Sequence, residues 1–194
     1  SGNGGAIYSG PGATLTVTSS RISNCTASQG GAIYSSTSPV TLTSSTFTNC
    51  SATTDGGAIK IVGSGTTLHI TSSTFGNCSA TSGGGIFADI DTSVSVSSSS
   101  FSSSTASYAG GAILLEDNGV LDITTSSFTN CSVDWYGGAI FAAAGSSTLD
   151  ITSSSFTNCS AYSGGAIESY APTFSVTKSS FTTCPSTSTG RANF

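Results

Sequence analysis

Short apolar segments alternate with polar residues along the whole chain and recur with a fixed period. Each repeat has an Ala-Ile pair, then a stretch in which apolar and polar residues alternate, then one large apolar residue. The alternating stretches are centred on Leu15/Val17, Val40/Leu42, Leu68/Ile70, Val94/Val96, Leu121/Ile123, Leu149/Ile151 and Phe174/Val176. The large residues are Ile22, Phe47, Phe75, Phe101, Phe128, Phe156 and Phe181. A period of two indicates β-strands with one buried face, and no segment has helical periodicity.

A Gly-Gly-Ala-Ile motif marks each repeat and sets its length. The motif begins at Gly4, Gly30, Gly56, Gly110, Gly137 and Gly164, and reads GGGI at Gly83, at intervals of 26 or 27 residues. One glycine of each pair is expected to take a positive φ at a corner, and its partner to let the next coil approach closely. Three strands per repeat favour a β-helix over a β-propeller, whose blades have four. We predict one all-β domain over residues 1–194, a right-handed parallel β-helix of about seven coils.

Composition narrows the classes of function. Only 7% of the residues are charged, the net charge is −5, and the four cations are Arg21, Lys60, Lys178 and Arg191. Nucleic-acid binding depends on neutralising phosphates with Lys and Arg, so we expect no such partner. No apolar run approaches the roughly 18 residues that span a bilayer, so we expect no membrane insertion of this segment. Because neither end suggests a capping helix, we expect a piece of a longer protein or a rod that stacks end to end.

Six cysteines follow the repeat, and none has the CxxC spacing of a zinc site. They are Cys25, Cys50, Cys78, Cys131, Cys159 and Cys184. Five of them lie in Asn-Cys-Ser/Thr, which is an N-glycosylation acceptor sequence. The acceptor residues are Asn24, Asn49, Asn77, Asn130 and Asn158. These sequons and the hydroxyl-rich composition predict a secreted or cell-surface glycoprotein.

The repeat motifs resemble those of a known family. GGAI and the large residue of each repeat are similar to the GGA[ILV] and FxxN motifs of the chlamydial polymorphic outer membrane proteins, along the whole chain. The resemblance implies a parallel β-helix and an adhesin function. The asparagine position of FxxN is occupied here by Cys50, Cys78, Cys131, Cys159 and Cys184. Because the sequons suit a eukaryotic secreted protein, we expect a protist or other eukaryotic surface relative.

The resemblance also implies that the residue three after the phenylalanine points inward and stacks on its equivalents. The cysteines would then form a buried ladder, interrupted at Ser104, with neighbouring Cα atoms about 4.8 Å apart, which a disulfide allows. Two interpretations stay open: stacked free thiols, or one disulfide in each group of three. The preceding asparagines would face outward and carry glycans. Alternatively, the asparagines form the inward ladder and the sequons are coincidental.

Aromatic residues at two further repeat positions define a candidate contact surface. Tyr8, Tyr34, Phe87 and Phe141 follow the isoleucine of the glycine motif, and alternation predicts that they point outward. Tyr108, Trp135 and Tyr162 precede a Gly-Gly pair by two residues. Such residues suit lateral packing or sugar stacking, and the alternative is scattered aromatic residues that fill turns.

Few residues could support a cofactor or catalysis. Asp89, Asp91, Glu116 and Asp117 are acidic residues at related positions of two coils, where oxygen ligands would suit Ca²⁺. A solvated acidic face is the simpler interpretation of these residues, and we predict no other cofactor. His69 is the only histidine, and the sequence shows no Ser-His-Asp arrangement, so we expect no enzyme.

These observations together predict a non-catalytic structural protein. We expect a component of an extracellular, glycosylated fibre, appendage or surface coat that self-associates end to end or laterally. The alternative is a cell-surface adhesin or carbohydrate-binding β-helix that uses the aromatic positions.

Overall fold

A computed structural model describes residues 2–188 and confirms an all-β parallel solenoid. The regular elements of these residues are all β-strands, numbered β1 to β26 in chain order. Each strand pairs in parallel with its equivalent in the neighbouring coil, so that three seven-stranded sheets run along the solenoid. The described residues contain no helix that could cross a membrane.

The three long sheets are formed by the three apolar segments of each repeat. The first sheet contains β1 (Ile7–Ser9), β5 (Ile33–Ser36), β9 (Ile59–Val62), β13 (Ile86–Ala88), β17 (Ile113–Leu115), β21 (Ile140–Ala142) and β24 (Ile167–Ser169). The second contains β2 (Leu15–Thr18), β6 (Val40–Thr43), β10 (Thr67–Thr71), β14 (Ser93–Ser97), β18 (Val120–Thr124), β22 (Thr148–Thr152) and β25 (Thr173–Thr177). The third contains β3 (Arg21–Ser23), β7 (Thr46–Thr48), β11 (Thr74–Gly76), β15 (Ser100–Ser102), β19 (Ser127–Thr129), β23 (Ser155–Thr157) and β26 (Ser180–Thr182).

A fourth, shorter sheet was not predicted, because the sequence suggested three strands per coil. It contains β4 (Thr26–Ala27), β8 (Ser51–Ala52), β12 (Ser79–Ser82), β16 (Thr105–Ala109) and β20 (Ser132–Val133). Three of its strands have only two residues, which is too short for an alternating pattern to appear in the sequence. This sheet lies between the cysteine position and the next glycine motif, and it fixes the path of that segment.

Equivalent residues of successive coils lie side by side, as the repeat predicted. Leu68 pairs with Val40 and Val94, and Phe75 pairs with Phe47 and Phe101. The phenylalanine rings from Phe47 to Phe181 stack with centroids 4.7–5.0 Å apart and planes within 6° of parallel. Isoleucine, leucine, valine, alanine and cysteine from the other inward positions join these rings in one continuous core.

The two glycines of each motif have the distinct roles that the sequence predicted. Gly110 has a φ of +62°, in the region that residues with a Cβ rarely adopt. Gly111 lies against the carbonyl oxygens of Gly138 and Ser132, which leaves no space for a Cβ. The first glycine therefore turns the chain, and the second lets the coils approach closely.

A column of buried serines closes the corner between the second and third sheets. The Oγ of Ser73 accepts a hydrogen bond from the N–H of Ser45 at 3.1 Å and donates one to the carbonyl of Thr71 at 3.0 Å. The same pattern recurs at Ser45, Ser99, Ser126, Ser154 and Ser179. A serine stands two residues before the large apolar residue in all seven repeats, and this regularity in the sequence could have predicted the serine column.

Candidate functional surfaces

The cysteine column lies inside the solenoid, as predicted. Cys50, Cys78, Cys131 and Cys159 are fully buried, and Cys25 and Cys184 in the outer coils are partly exposed. The Sγ of Cys78 lies 3.5 Å from the carbonyl oxygen of Gly76 and 3.9 Å from that of Phe47. All six are free thiols in the structure. Side chains that stack in register stay about 4.8 Å apart, whereas a disulfide brings its Cβ atoms to about 3.8 Å, so the column favours thiols.

The thiols of neighbouring coils affect one another's ionisation. The hydrogen bond with Cys50, together with burial, raises the pKa of Cys78. The hydrogen bond with Cys159 and burial likewise raise the pKa of Cys131 well above its usual value. Because these two thiols stay protonated at neutral pH, they behave as small apolar core residues.

The five sequon asparagines face solvent, which confirms their predicted outward orientation. Their φ angles lie between +53° and +57°, in a left-handed region that asparagine tolerates better than most residues. The Nδ2 of Asn49 donates to the Oδ1 of Asn24 at 3.2 Å, and the Nδ2 of Asn77 donates to the Oδ1 of Asn49 at 3.4 Å. The fold thus gives each sequon residue a structural reason: a left-handed corner for Asn, an inward position for Cys and a strand or β-bridge for Ser or Thr. Glycosylation at these asparagines stays a prediction.

The residues that follow the isoleucine of each glycine motif are not all exposed, contrary to the prediction from the alternation. Tyr8 is 58% exposed and stacks on the partly exposed Tyr34, with ring centroids 5.5 Å apart. Phe87 is only 7% exposed, so the prediction that it belongs to an exposed contact surface is wrong. Ala109 and Leu114 cover Phe87 in a second apolar cluster outside the main core. The ammonium of Lys60 also lies over the Phe87 ring, 4.6 Å from its centroid.

Six neighbouring aromatic side chains lie at the surface of the later coils and are here called the aromatic patch; four are exposed, and Tyr136 and Phe141 are partly buried. Its members are Tyr108, Trp135, Tyr136, Phe141, Tyr162 and Tyr170. Neighbouring rings are 5.7 to 6.4 Å apart and tilted or edge-on to one another. The structure therefore joins four of the predicted contact residues and separates them from the Tyr8–Tyr34 pair. Tyr136 and Tyr170 were missed, because they break the repeat pattern that identified the others.

The acidic residues proposed for Ca²⁺ do not converge on one point. Burial raises the pKa of Glu116, and the charges of Asp117, Asp89 and Asp55 raise it further. Asp89 accepts a hydrogen bond from the N–H of Ile90, and Asp91 occupies a turn with a φ of +57°. Across residues 2–188, no three acidic, histidine or cysteine side chains are grouped closely enough to hold a metal. Calcium binding stays a prediction without a defined set of ligands.

One pair on the second sheet resembles part of a catalytic site. His69 Nδ1 and Ser95 Oγ lie 2.7 Å apart, and Asp122 occupies the next position of the same column. In a Ser-His-Asp triad the histidine lies between the serine and the carboxylate. Here Ser95 lies between the other two, so Asp122 cannot orient the imidazole. The three residues therefore do not have the geometry of a triad.

A groove in the described part of the chain is lined by hydroxyl groups. It runs along the corner between the second and third sheets, past Ser72, Ser98, Thr125 and Ser153. Its lining contains only serine and threonine, with no charged or aromatic side chain to select a ligand.

No protein-family model matches the chain, and no curated protein or solved structure shows significant similarity to it. The likeness to the chlamydial repeats is thus a likeness of motifs. The fold defines the chain as a β-solenoid protein.

Proposed function

We propose that this chain is a non-catalytic structural segment of an extracellular fibre, appendage or surface coat. The observation that carries the proposal is that the outermost described coils have exposed apolar side chains and unpaired strand edges. Phe174, Val176 and Phe181 occupy inward positions of the last coil, yet they are 40–48% exposed. The strands of that coil pair on one side only, as do those of the first coil.

Open strand edges of this kind pair readily with further strands. A further coil in the same register would cover Phe174, Val176 and Phe181 and would continue the phenylalanine column. That coil could come from a second copy or from another stretch of the same polypeptide. In either case the result is an extended rod, which supports a structural role.

Imaging of the native material by electron microscopy tests this proposal. We expect rods longer than seven coils, bearing this protein along their length. Separate particles of seven-coil length would contradict it. Sedimentation of the purified chain then distinguishes the two sources of the added coil. Concentration-dependent association that is lost in Phe181→Lys, but kept in the control Ile90→Lys, which changes an exposed apolar residue of a middle coil, indicates a second copy.

We include N-glycans on the five exposed asparagines in the proposal. Exposed Asn side chains within intact sequons support it. The intact mass of the secreted protein, measured before and after enzymatic removal of N-glycans, counts the modified sites. An unchanged mass would contradict both the glycans and the secretory route inferred from them.

The aromatic patch favours a second candidate function, a cell-surface adhesin or carbohydrate-binding protein. Exposed Trp and Tyr rings offer flat apolar faces together with polar groups. An array of neutral and acidic oligosaccharides tests this alternative. Binding that Trp135→Ala abolishes would support it, and an array without any binding would reject it.

A further inference from the structure

A carboxylate lies beside the aromatic patch. Glu168 Oε2 accepts a hydrogen bond from Ser163 Oγ at 2.8 Å. Burial raises the pKa of Tyr170, and a hydrogen bond to Glu168 and the charge of Glu168 raise it further. Glu168 also pairs with Phe141 in the first sheet, so it lies beside Phe141 and Tyr170 of the patch. A second carboxylate, Asp134, is exposed beside Trp135.

Neither carboxylate is neutralised by the part of the chain that the structure describes. The one salt bridge found there joins Lys60 to Asp55, at 2.7 Å. Glu168 accepts a hydrogen bond from Ser163, whereas an ionised carboxylate has about four acceptor positions. The patch thus combines exposed aromatic faces with negative charge that has no positive partner among residues 2–188.

The Lys60 site shows how the same face of the solenoid binds a cation. The ammonium of Lys60 lies between the Asp55 carboxylate and the Phe87 ring of the next coil. Lys60 pairs with Phe87 in the first sheet, and Phe141 pairs with Glu168 in the same sheet. In the later coils the same strand position therefore supplies a ring, Phe141, and a carboxylate, Glu168. A ring and a carboxylate are also the two groups that hold the ammonium of Lys60.

We propose that the aromatic patch binds arginine side chains of a partner protein. Glu168 would pair with a guanidinium that stacks on Phe141 or Tyr170, and Asp134 with Trp135 would take a second one. A guanidinium suits this site because it stacks on aromatic rings and donates two parallel hydrogen bonds to a carboxylate. A neutral sugar would use the rings but leave both charges without a partner, and an anionic ligand would be repelled. This inference does not depend on the structural role proposed above.

Trp135 makes the proposal directly measurable, because it is the only tryptophan of the chain. The full chain is titrated with an acetylated, amidated Gly-Arg-Gly-Arg-Gly peptide while tryptophan fluorescence is recorded. The matched probe is the same peptide with citrulline in place of arginine, which keeps the shape but removes the charge. We expect saturable binding of the arginine peptide, at least about tenfold weaker binding of the citrulline peptide, and weakening by salt.

Variants locate the site, with calorimetry as the readout because one of them removes the tryptophan. Glu168→Gln and Trp135→Ala should each weaken binding about fivefold. Tyr8→Ala is the control, since it removes an equally exposed ring outside the patch and should leave binding unchanged. Circular dichroism confirms that each variant is folded. The proposal fails if both peptides bind equally or neither binds, if Glu168→Gln has no effect, or if only a neutral oligosaccharide binds.

Discussion

The phenyl rings of Phe101 and Phe128 stack face to face across neighbouring coils, with centroids 4.9 Å apart and planes 5° from parallel. This contact exists only when the two coils are in register. A slip of one residue in either strand would turn its ring to the opposite face of the sheet. The stacked rings therefore couple the conformation of each coil to that of the next.

Removing a ring from the middle of this column should be costly. Phe101→Ala leaves a cavity in a fully packed core, and we expect a loss of about 3–5 kcal/mol in the free energy of unfolding. Phe181→Ala is the matched control, because that ring is 48% exposed and contacts only one neighbour in the stack. Urea denaturation should show no more than half the loss for Phe181→Ala. Equal losses would mean that the column is not continuous as described.

The second glycine of the motif should not accept a side chain. A Cβ at Gly111 would overlap the carbonyl oxygen of Gly138, so Gly111→Ala should destabilise the protein by at least about 2 kcal/mol. Gly76→Ala is the control. Its Cβ would meet Ser102 Oγ at 3.5 Å and Thr48 Cγ2 at 3.6 Å, which are ordinary contacts. Thermal unfolding should show Gly76→Ala to be neutral or up to about 0.5 kcal/mol more stable. A tolerated alanine at position 111 would contradict the close approach of the coils.

Ser104 interrupts the cysteine column and lowers the stability of the fold, and a mutation should reverse this effect. Its Oγ is fully buried and has no hydrogen-bond partner in the structure. Ser104→Ala should therefore stabilise the protein by about 1 kcal/mol. Ser126→Ala tests the opposite case, because the Oγ of Ser126 bonds both Ser99 N and Thr124 O. We expect that change to cost about 1–3 kcal/mol. A destabilising Ser104→Ala would show that the hydroxyl has a partner.

Two stacked aspartates should make stability depend on pH. Burial raises the pKa of Asp122, and the charge of its neighbour Asp150 raises it further. Because the pKa of Asp122 is higher in the folded state than in the unfolded state, its contribution to the stability of the fold is most favourable in acid, below the unfolded pKa. That contribution is lost as the pH rises through the folded pKa. Asp122→Asn should therefore raise stability at pH 7 by about 0.5 kcal/mol, as expected for relieving a like-charged cross-strand pair. Thermal melts should show this gain disappear at about pH 3, below the unfolded pKa of aspartate. A gain that persists in acid would contradict the electrostatic cause.

The sequence predicted the columns because a period of two and a fixed repeat determine which residues face the core and which residues stack. It did not predict the surfaces equally well. Whether Phe87 is exposed depends on Leu114, its partner in the next coil, and on Ala109, which follows no motif. Tyr136 and Tyr170 occupy other repeat positions, and only the three-dimensional structure places them beside the other rings of the patch. The sequons could be read from the sequence, but the left-handed corner that favours asparagine could not.

A crystallographic density map of the purified chain tests the central claim most directly, since that claim is the registered stacking of equivalent residues. We predict that the rings from Phe47 to Phe181 form one straight column, with neighbouring centroids 4.7–5.0 Å apart. A map in which these rings lie at different depths or on different faces would contradict the solenoid and every surface derived from it.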